Sequence, residues 1–217
     1  MSTTRTPTLL TDTDMEVMRI LHRAFRRDGG RLEQAAERYG TQEAAAHEAL
    51  LIGWHGMSWS LHHHHTVEDT HIWPVIRDKV AGTPEAEILD AMEQEHSRID
   101  PAIERIERAF ADADAGVDAV AESIEAFLGL LRGHLEHEER DAFPLIRRFI
   151  TKGEWDALNK AAVKELSLSE IAALGPWVLD GATPDEVRTV LSELPPPVRA
   201  LHRYWWNPRY RRTRRWD

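Results

Sequence analysis

Apolar residues recur every three to four positions through most of residues 12–150, with polar residues filling the opposite face, the signature of amphipathic helices. Four such stretches follow one another. The first spans Asp12–Tyr39, with Gly29-Gly30 permitting a bend, and the second spans Gln42–Val80. The third opens at Thr83-Pro84, a capping residue before a proline at the first helical position, and ends near Phe110. After a loop at Asp112–Gly116 the fourth runs from Val117 to about Phe149. No stretch alternates convincingly enough to be a strand. Beyond Gly153 the pattern shortens into Glu154–Leu166, Ser169 to about Leu179, Thr183-Pro184 to Glu193, and a segment after Pro195-Pro196-Pro197. The expected fold is all-α: an antiparallel up-down four-helix bundle over residues 12–150. Residues 151–217 are too few for a second core and are expected to form a helical appendage held on the bundle by Trp155, Trp177, Trp205 and Trp206.

The second and fourth stretches repeat each other. Residues 61–80, LHHHHTVEDTHIWPVIRDKV, align without a gap on residues 131–150, LRGHLEHEERDAFPLIRRFI, at an offset of 70. His64 matches His134, Glu68 matches Glu138, Pro74 matches Pro144, and Trp73 faces Phe143. Both segments read H-x-x-x-E-x-x-x-x-[WF]-P. Each of the other long stretches holds one histidine upstream: His22 lies 42 residues before His64, and His96 lies 38 before His134. The chain is therefore two helix hairpins of one pattern.

Residues four apart on a helix differ by about 40° in direction and about 6 Å in height, so each histidine points the same way as its glutamate. In a bundle, four imidazoles and two carboxylates would meet at one level of the core. Buried carboxylates without partners are costly there, and cations remove that cost. Two cations suit six such ligands, because each carboxylate can bridge with both oxygens. The repeated proline predicts a kink just beyond the site, or an early helix end.

Composition narrows the chemistry. There is no cysteine, which excludes disulfides, thiolate metal sites, iron–sulfur clusters and cysteine nucleophiles. Imidazole and carboxylate without sulfur suit iron, manganese or zinc, and in a four-helix bundle they favour a dinuclear, oxygen-reactive centre. The N-terminal Met1–Pro7 leads into no apolar signal core and no apolar run approaches a membrane span, so a cytoplasmic location without a transmembrane segment is expected. The net charge is −10, yet seven arginines and one acid fall in residues 199–217, leaving −16 on the remainder. The acidic body argues against nucleic acid as a partner. The basic tail is expected to fold back on that body or to be solvated, with contact to phosphate or a lipid surface as the alternative.

With LHRAFRRD around His22, HHHHTVEDTHIWP at 62–74, EQEHSRID around His96 and HLEHEERDAFP at 134–144, the chain resembles the hemerythrin family, specifically bacterial hemerythrin-like proteins with an HHE cation-binding domain. The resemblance covers roughly residues 12–150. It implies two iron ions with an oxo or hydroxo bridge, with His22, His64, His96 and His134 as terminal ligands and Glu68 and Glu138 as bridges; zinc or manganese is the lesser alternative. The oxygen-carrying members have a second histidine four residues after the one on the third helix, where this chain has Asp100, and they space histidine and aspartate by five on the fourth helix. His65, beside His64, is the first candidate for the additional ligand and Asp100 the second. His137 and Asp141 are candidates to orient a ligand by hydrogen bonding. The implied function is binding of a small oxidant (dioxygen, peroxide or nitric oxide) for sensing, storage or redox and iron handling. Peroxide disproportionation or another di-iron oxidation, and a metal-stapled regulatory module, are the competing readings. Neither the oligomeric state nor the physiological ligand is legible.

Overall fold

A computed structural model describes residues 8–39, 44–112 and 116–216. The expected start at Gln42, the Ala113–Ala115 part of the loop, the Met1–Pro7 segment and Asp217 lie outside them. Among the described residues the chain is helical throughout, with only an isolated bridge between Leu9 and Thr151 and no strand. No helix is long and apolar enough to cross a membrane.

The four expected stretches are present. α1 (Glu16–Ala36) runs through Gly29-Gly30 as one helix. α2 (Ala44–Val67) continues through a wide π turn, Glu68–Ile72, into α3 (Trp73–Val80). α4 (Ala86–Ala111) starts later than Thr83-Pro84, because the Thr83 hydroxyl bonds back to the Val80 carbonyl (2.8 Å) and does not cap α4. α5 (Val117–His137) continues through a second π turn, Glu138–Ala142, into α6 (Phe143–Phe149). Pro74 and Pro144 thus end neither stretch. A proline lacks the N–H for a bond four residues back and clashes with that carbonyl; a turn widened by one residue removes both problems.

Two apolar clusters hold these stretches together. One takes Phe25, Leu32, Trp54, Leu61, Ile99, Ile106, Phe127 and Leu135; the other takes Met15, Trp73, Ile76, Leu89, Met92, Phe143 and Ile146. On α2–α3 the chain passes from the first cluster to the second after Leu61, and on α5–α6 after Leu135; on α4 it passes the other way between Met92 and Ile99. The motif residues fall at these junctions.

Beyond Thr151 come α7 (Lys152–Glu165), α8 (Leu168–Val178), α9 (Pro184–Ser192), α10 (Pro196–Leu201) and α11 (Asn207–Arg212). The first three open on capping boxes, Thr151/Glu154, Ser167/Glu170 and Thr183/Glu186, in which side chain and backbone satisfy each other's first-turn donors. A third π turn, His202–Trp206, precedes Asn207-Pro208 at the spacing that precedes Pro74 and Pro144. α8 packs on α1 and α2. Its Trp177 donates from Nε1 to the buried Asp28 carboxylate (2.7 Å), which also accepts from Arg27 and Arg31. Trp155 is buried in the second cluster, but Trp205 is 71% exposed and ties nothing down. Its place as an anchor is taken by Trp216, whose backbone N–H donates to the Ala49 carbonyl (2.8 Å) and whose indole lies on Gly53. The tail therefore does fold back on the body. Trp216 sits at φ 74°, a left-handed backbone that costs a non-glycine residue of order 1–2 kcal/mol.

Candidate metal centre

The six residues singled out by the repeat are all buried and converge. Each i, i+4 pair is aligned as the helical spacing requires: His64 Nε2 lies 3.3 Å from Glu68 Oε1, and His134 Nε2 lies 3.7 Å from Glu138 Oε2. The lone histidines come in from α1 and α4. His22 Nε2 is 3.2 Å from Glu138 Oε2 and 3.3 Å from His64 Nε2; His96 Nε2 is 3.6 Å from Glu68 Oε2. Each glutamate thus faces histidines of both hairpins.

The donors divide into two groups whose ligand atoms lie within 4.8 Å of one another: His22, His64, Glu68 and Glu138, and His65, His96 and His134. His65 is the addition. It stacks on His96 with ring centroids 3.9 Å apart, edge-on to His134 at 5.1 Å. Asp100, the other candidate, is 54% exposed and faces His62 at 4.0 Å, away from this cluster.

A ring of acids holds the outer nitrogens. His22 Nδ1 meets Glu139 at 2.8 Å, His96 Nδ1 meets Asp69 at 2.9 Å, and His134 Nδ1 meets Glu95 at 2.9 Å. Such partners fix which nitrogen carries the proton and turn Nε2 inward as a lone pair. Asp69 and Glu139 are the same position of the repeat, each directly after its glutamate, and each holds the lone histidine of the other hairpin. The neighbouring acids in both halves were the signal for this role; the alignment at an offset of 70 contained it. The other Glu95 oxygen takes His137 Nδ1 (2.7 Å), which joins His137 to His134 through Glu95; His137 Nε2 lies 3.2 Å from Asp141, whose hydrogen bonds are to Arg140. His71, by contrast, pairs with Glu165, and His63 stacks on Trp59.

The electrostatics follow from burial. Burial pushes the His64 and His65 imidazoles well below their ordinary value, leaving both neutral and able to ligate. Burial, and the neighbouring Glu138 carboxylate, push Glu68 well above the usual range. At Glu138 burial is opposed and outweighed by His22, His64 and His134, which hold it low. Burial would lower His22, but Glu138 and Glu139 reverse the sign and raise it. Glu139 itself is held at about 2: burial works against its ionisation, but His22 and Arg26 prevail.

What remains unbalanced is decisive. Both oxygens of Glu68, both of Glu138, both ring nitrogens of His65, and Nε2 of His96 and His134 are buried with no hydrogen-bond partner. An orphaned buried polar atom costs of order 1–3 kcal/mol. These atoms belong to side chains that converge in two groups and offer nitrogen and oxygen donors, which fit divalent or trivalent transition-metal ions. Apolar rings close the surroundings, with Phe25 5.4 Å from His64 and Phe143 5.3 Å from His22.

The family described as hemerythrin HHE cation binding domain matches residues 13–146. No curated protein and no solved structure matches the chain.

Proposed function

Because the chain belongs to the hemerythrin HHE cation-binding family, we propose that it is a non-haem di-iron protein that binds a small oxidant (dioxygen, peroxide or nitric oxide) for sensing, storage or redox and iron handling. The observation that carries this reading is the convergence, in two buried groups, of side chains whose donor atoms on Glu68, Glu138, His65, His96 and His134 have no hydrogen-bond partner. An up-down antiparallel bundle accords with the alternating direction in which α2–α3, α4 and α5–α6 run between the two apolar clusters.

In this reading His22 and His64 would hold one ion and His65, His96 and His134 the other, with Glu68 and Glu138, which face histidines of both groups, serving both. Two six-coordinate ions need about twelve bonds. Five imidazoles supply five and two bridging carboxylates four, so about three remain. Solvent and an exogenous ligand would fill these, and the side with fewer histidines, His22/His64, would be the place for the ligand. Bound iron would supply the electrons. The protein contributes the rest: Asp69, Glu95 and Glu139 hold the imidazoles in the ligating tautomer, and Phe25 and Phe143 keep bulk water from the His22/His64 side. Iron rests on the family; zinc or manganese would satisfy the same donors.

One observation favours a second reading, peroxide disproportionation. The hydrogen-bonded chain His134–Glu95–His137 runs from the buried cluster to a half-buried imidazole and can carry the proton that turnover moves and reversible binding does not.

The test is elemental analysis of protein purified without a histidine tag, together with its electronic spectrum under anaerobic reduction and reoxygenation. The proposal expects two irons per chain and a reversible charge-transfer band. His65→Ala should lose the band and part of the iron, whereas Asp100→Ala should keep both. A native, metal-free fold, or an intact centre in His65→Ala, refutes the assignment. Oxygen evolution from peroxide above that of free iron, slowed in His137→Ala, selects the second reading.

A further inference from the structure

Where the tail crosses α2 and α8 it leaves a cleft of about 490 Å³. Small residues make room for it: Gly53 and Gly56 on α2, Ala172 and Ala173 on α8. The Trp216 indole covers Gly53, but a methyl group at Gly56, three residues on, would meet nothing within 4 Å. The wide turn before Asn207-Pro208 spaces His202, Trp206 and Tyr210 four apart, with His202 buried and the other two half-buried. Trp206 and Tyr210 line the cleft together with Trp59 of α2 and Trp177 of α8. His63 stacks on Trp59 with the ring planes 4° apart, which steadies that indole. None of the metal-centre donors lines the cleft, and Gly56 lies eight residues before His64, roughly 12 Å along α2.

The charged groups beside these aromatic walls are of one sign. Arg209 and Arg215 line the cleft, and no acid does. Arg209 is exposed, and its guanidinium has neither ion pair nor hydrogen-bond acceptor among the described residues. Arg215 donates to the backbone carbonyls of Tyr210 and Thr213 and stacks 3.7 Å from the Tyr210 ring centroid, all neutral partners. The Tyr210 hydroxyl is buried without an acceptor. Flat apolar walls complement a flat apolar body, and the unpaired guanidinium complements a single anionic group at its edge.

We propose that this cleft is a binding site for an aromatic carboxylate. Indole and phenol faces gain from a ring set against them edge-on or offset, beyond the area that any apolar chain would bury. The planar guanidinium fork matches the two oxygens of a carboxylate. The volume falls in the range of small-molecule sites, which are mostly apolar with a few placed polar groups. Because α2, α8 and the tail each supply part of the lining, occupation would also fasten the tail to the body.

The test uses the full-length, metal-loaded protein and 2-naphthoate as probe, titrated calorimetrically in ~0.15 M salt, where weak surface attraction is screened. Saturable one-to-one binding is expected, with 2-naphthylmethanol, which lacks the charge, and octanoate, which lacks the ring, each weaker by about tenfold or more. Arg209→Gln should weaken naphthoate about tenfold and leave naphthylmethanol unchanged. Gly56→Leu, whose side chain grows into the open space, should abolish binding of both. Arg212→Gln removes a neighbouring exposed charge on α11 outside the lining and should change affinity less than about twofold. Metal content and thermal unfolding, measured on every variant, show that each is folded. Absence of saturable binding overturns the proposal, as does unchanged binding in folded Gly56→Leu, which would put the probe elsewhere. Equal affinity for octanoate would mean an unselective apolar groove, and equal weakening by Arg212→Gln would mean bulk charge alone; either overturns it too.

Discussion

A methyl group added at Gly53 would sit 2.5 Å from Cδ2 and Cε2 of the Trp216 indole and 2.9 Å from Cε3. These are atoms of a rigid ring, so Gly53→Ala must expel Trp216. The loss can be worked out. A buried indole hides about 200 Å², worth about 5 kcal/mol at 25 cal/mol per Å². Allowing for the compactness of the unfolded chain brings this to about 4, and the regained freedom of a frayed terminus and relief of the left-handed backbone to about 2–3 kcal/mol. For a chain of 217 residues that is a fall in melting temperature of about 5–10 °C. Trp216→Ala should cost the same about 2–3 kcal/mol, because the same contact is lost. In the Trp216→Ala background, however, the indole that Gly53→Ala strikes is gone and the change replaces a helix-interior glycine, so it should stabilise by up to about 1 kcal/mol. Urea denaturation of the four proteins of this cycle measures the sign reversal. A Gly53→Ala cost that is equal with and without Trp216 would refute the docking of the tail.

Three other outcomes follow from the contacts described. Glu95 uses one oxygen for His134 and the other for His137; Glu95→Gln keeps one acceptor for two imidazole donors and should weaken metal binding about 10–100-fold, read by competition with a chelator. Asp28→Asn leaves Arg27, Arg31 and the Trp177 indole without their shared carboxylate and should cost about 3 kcal/mol in urea denaturation, with a red shift of tryptophan emission as α8 loosens. Glu154 is held at about 2 from 4.5 by Lys79 and by the Thr151 cap; its contribution is full above pH 4.5 and disappears as pH falls towards 2. Glu154→Gln should flatten stability across that acid window by lowering it in the neutral range, by well under 1 kcal/mol because the pair is solvated, and should leave it unchanged near pH 2.

The centre was legible where the signal was local and repeated. Four residues of helix fix the direction of His64 against Glu68, and again of His134 against Glu138, whatever the rest of the chain does. His65 carried no such signature: its counterpart 70 residues on is Leu135, so the fifth imidazole breaks the two-fold pattern and only three-dimensional packing brings it to His96 and His134. Asp100 misled for the converse reason, since a residue four after His96 shares its side of the helix but reaches the surface opposite His62. The prolines gave the position of a disturbance and not its form, because a kink, an end and a widened turn all relieve the same missing N–H. Trp205 and Trp216 are alike in composition; which is buried depends on whether α2 offers a gap, and Gly53 provides one far earlier in the chain, a relation no periodicity encodes.

Asp69 grips the imidazole of the later hairpin, and Glu139 grips that of the earlier one. Each hairpin is thereby the other's jig: alone, it would carry a swivelling lone histidine and a carboxylate with nothing to span. Ion uptake consequently gauges whether the halves have closed on each other, and a lesion in the interface between them would surface first as lost cation binding, well before either hairpin unravels.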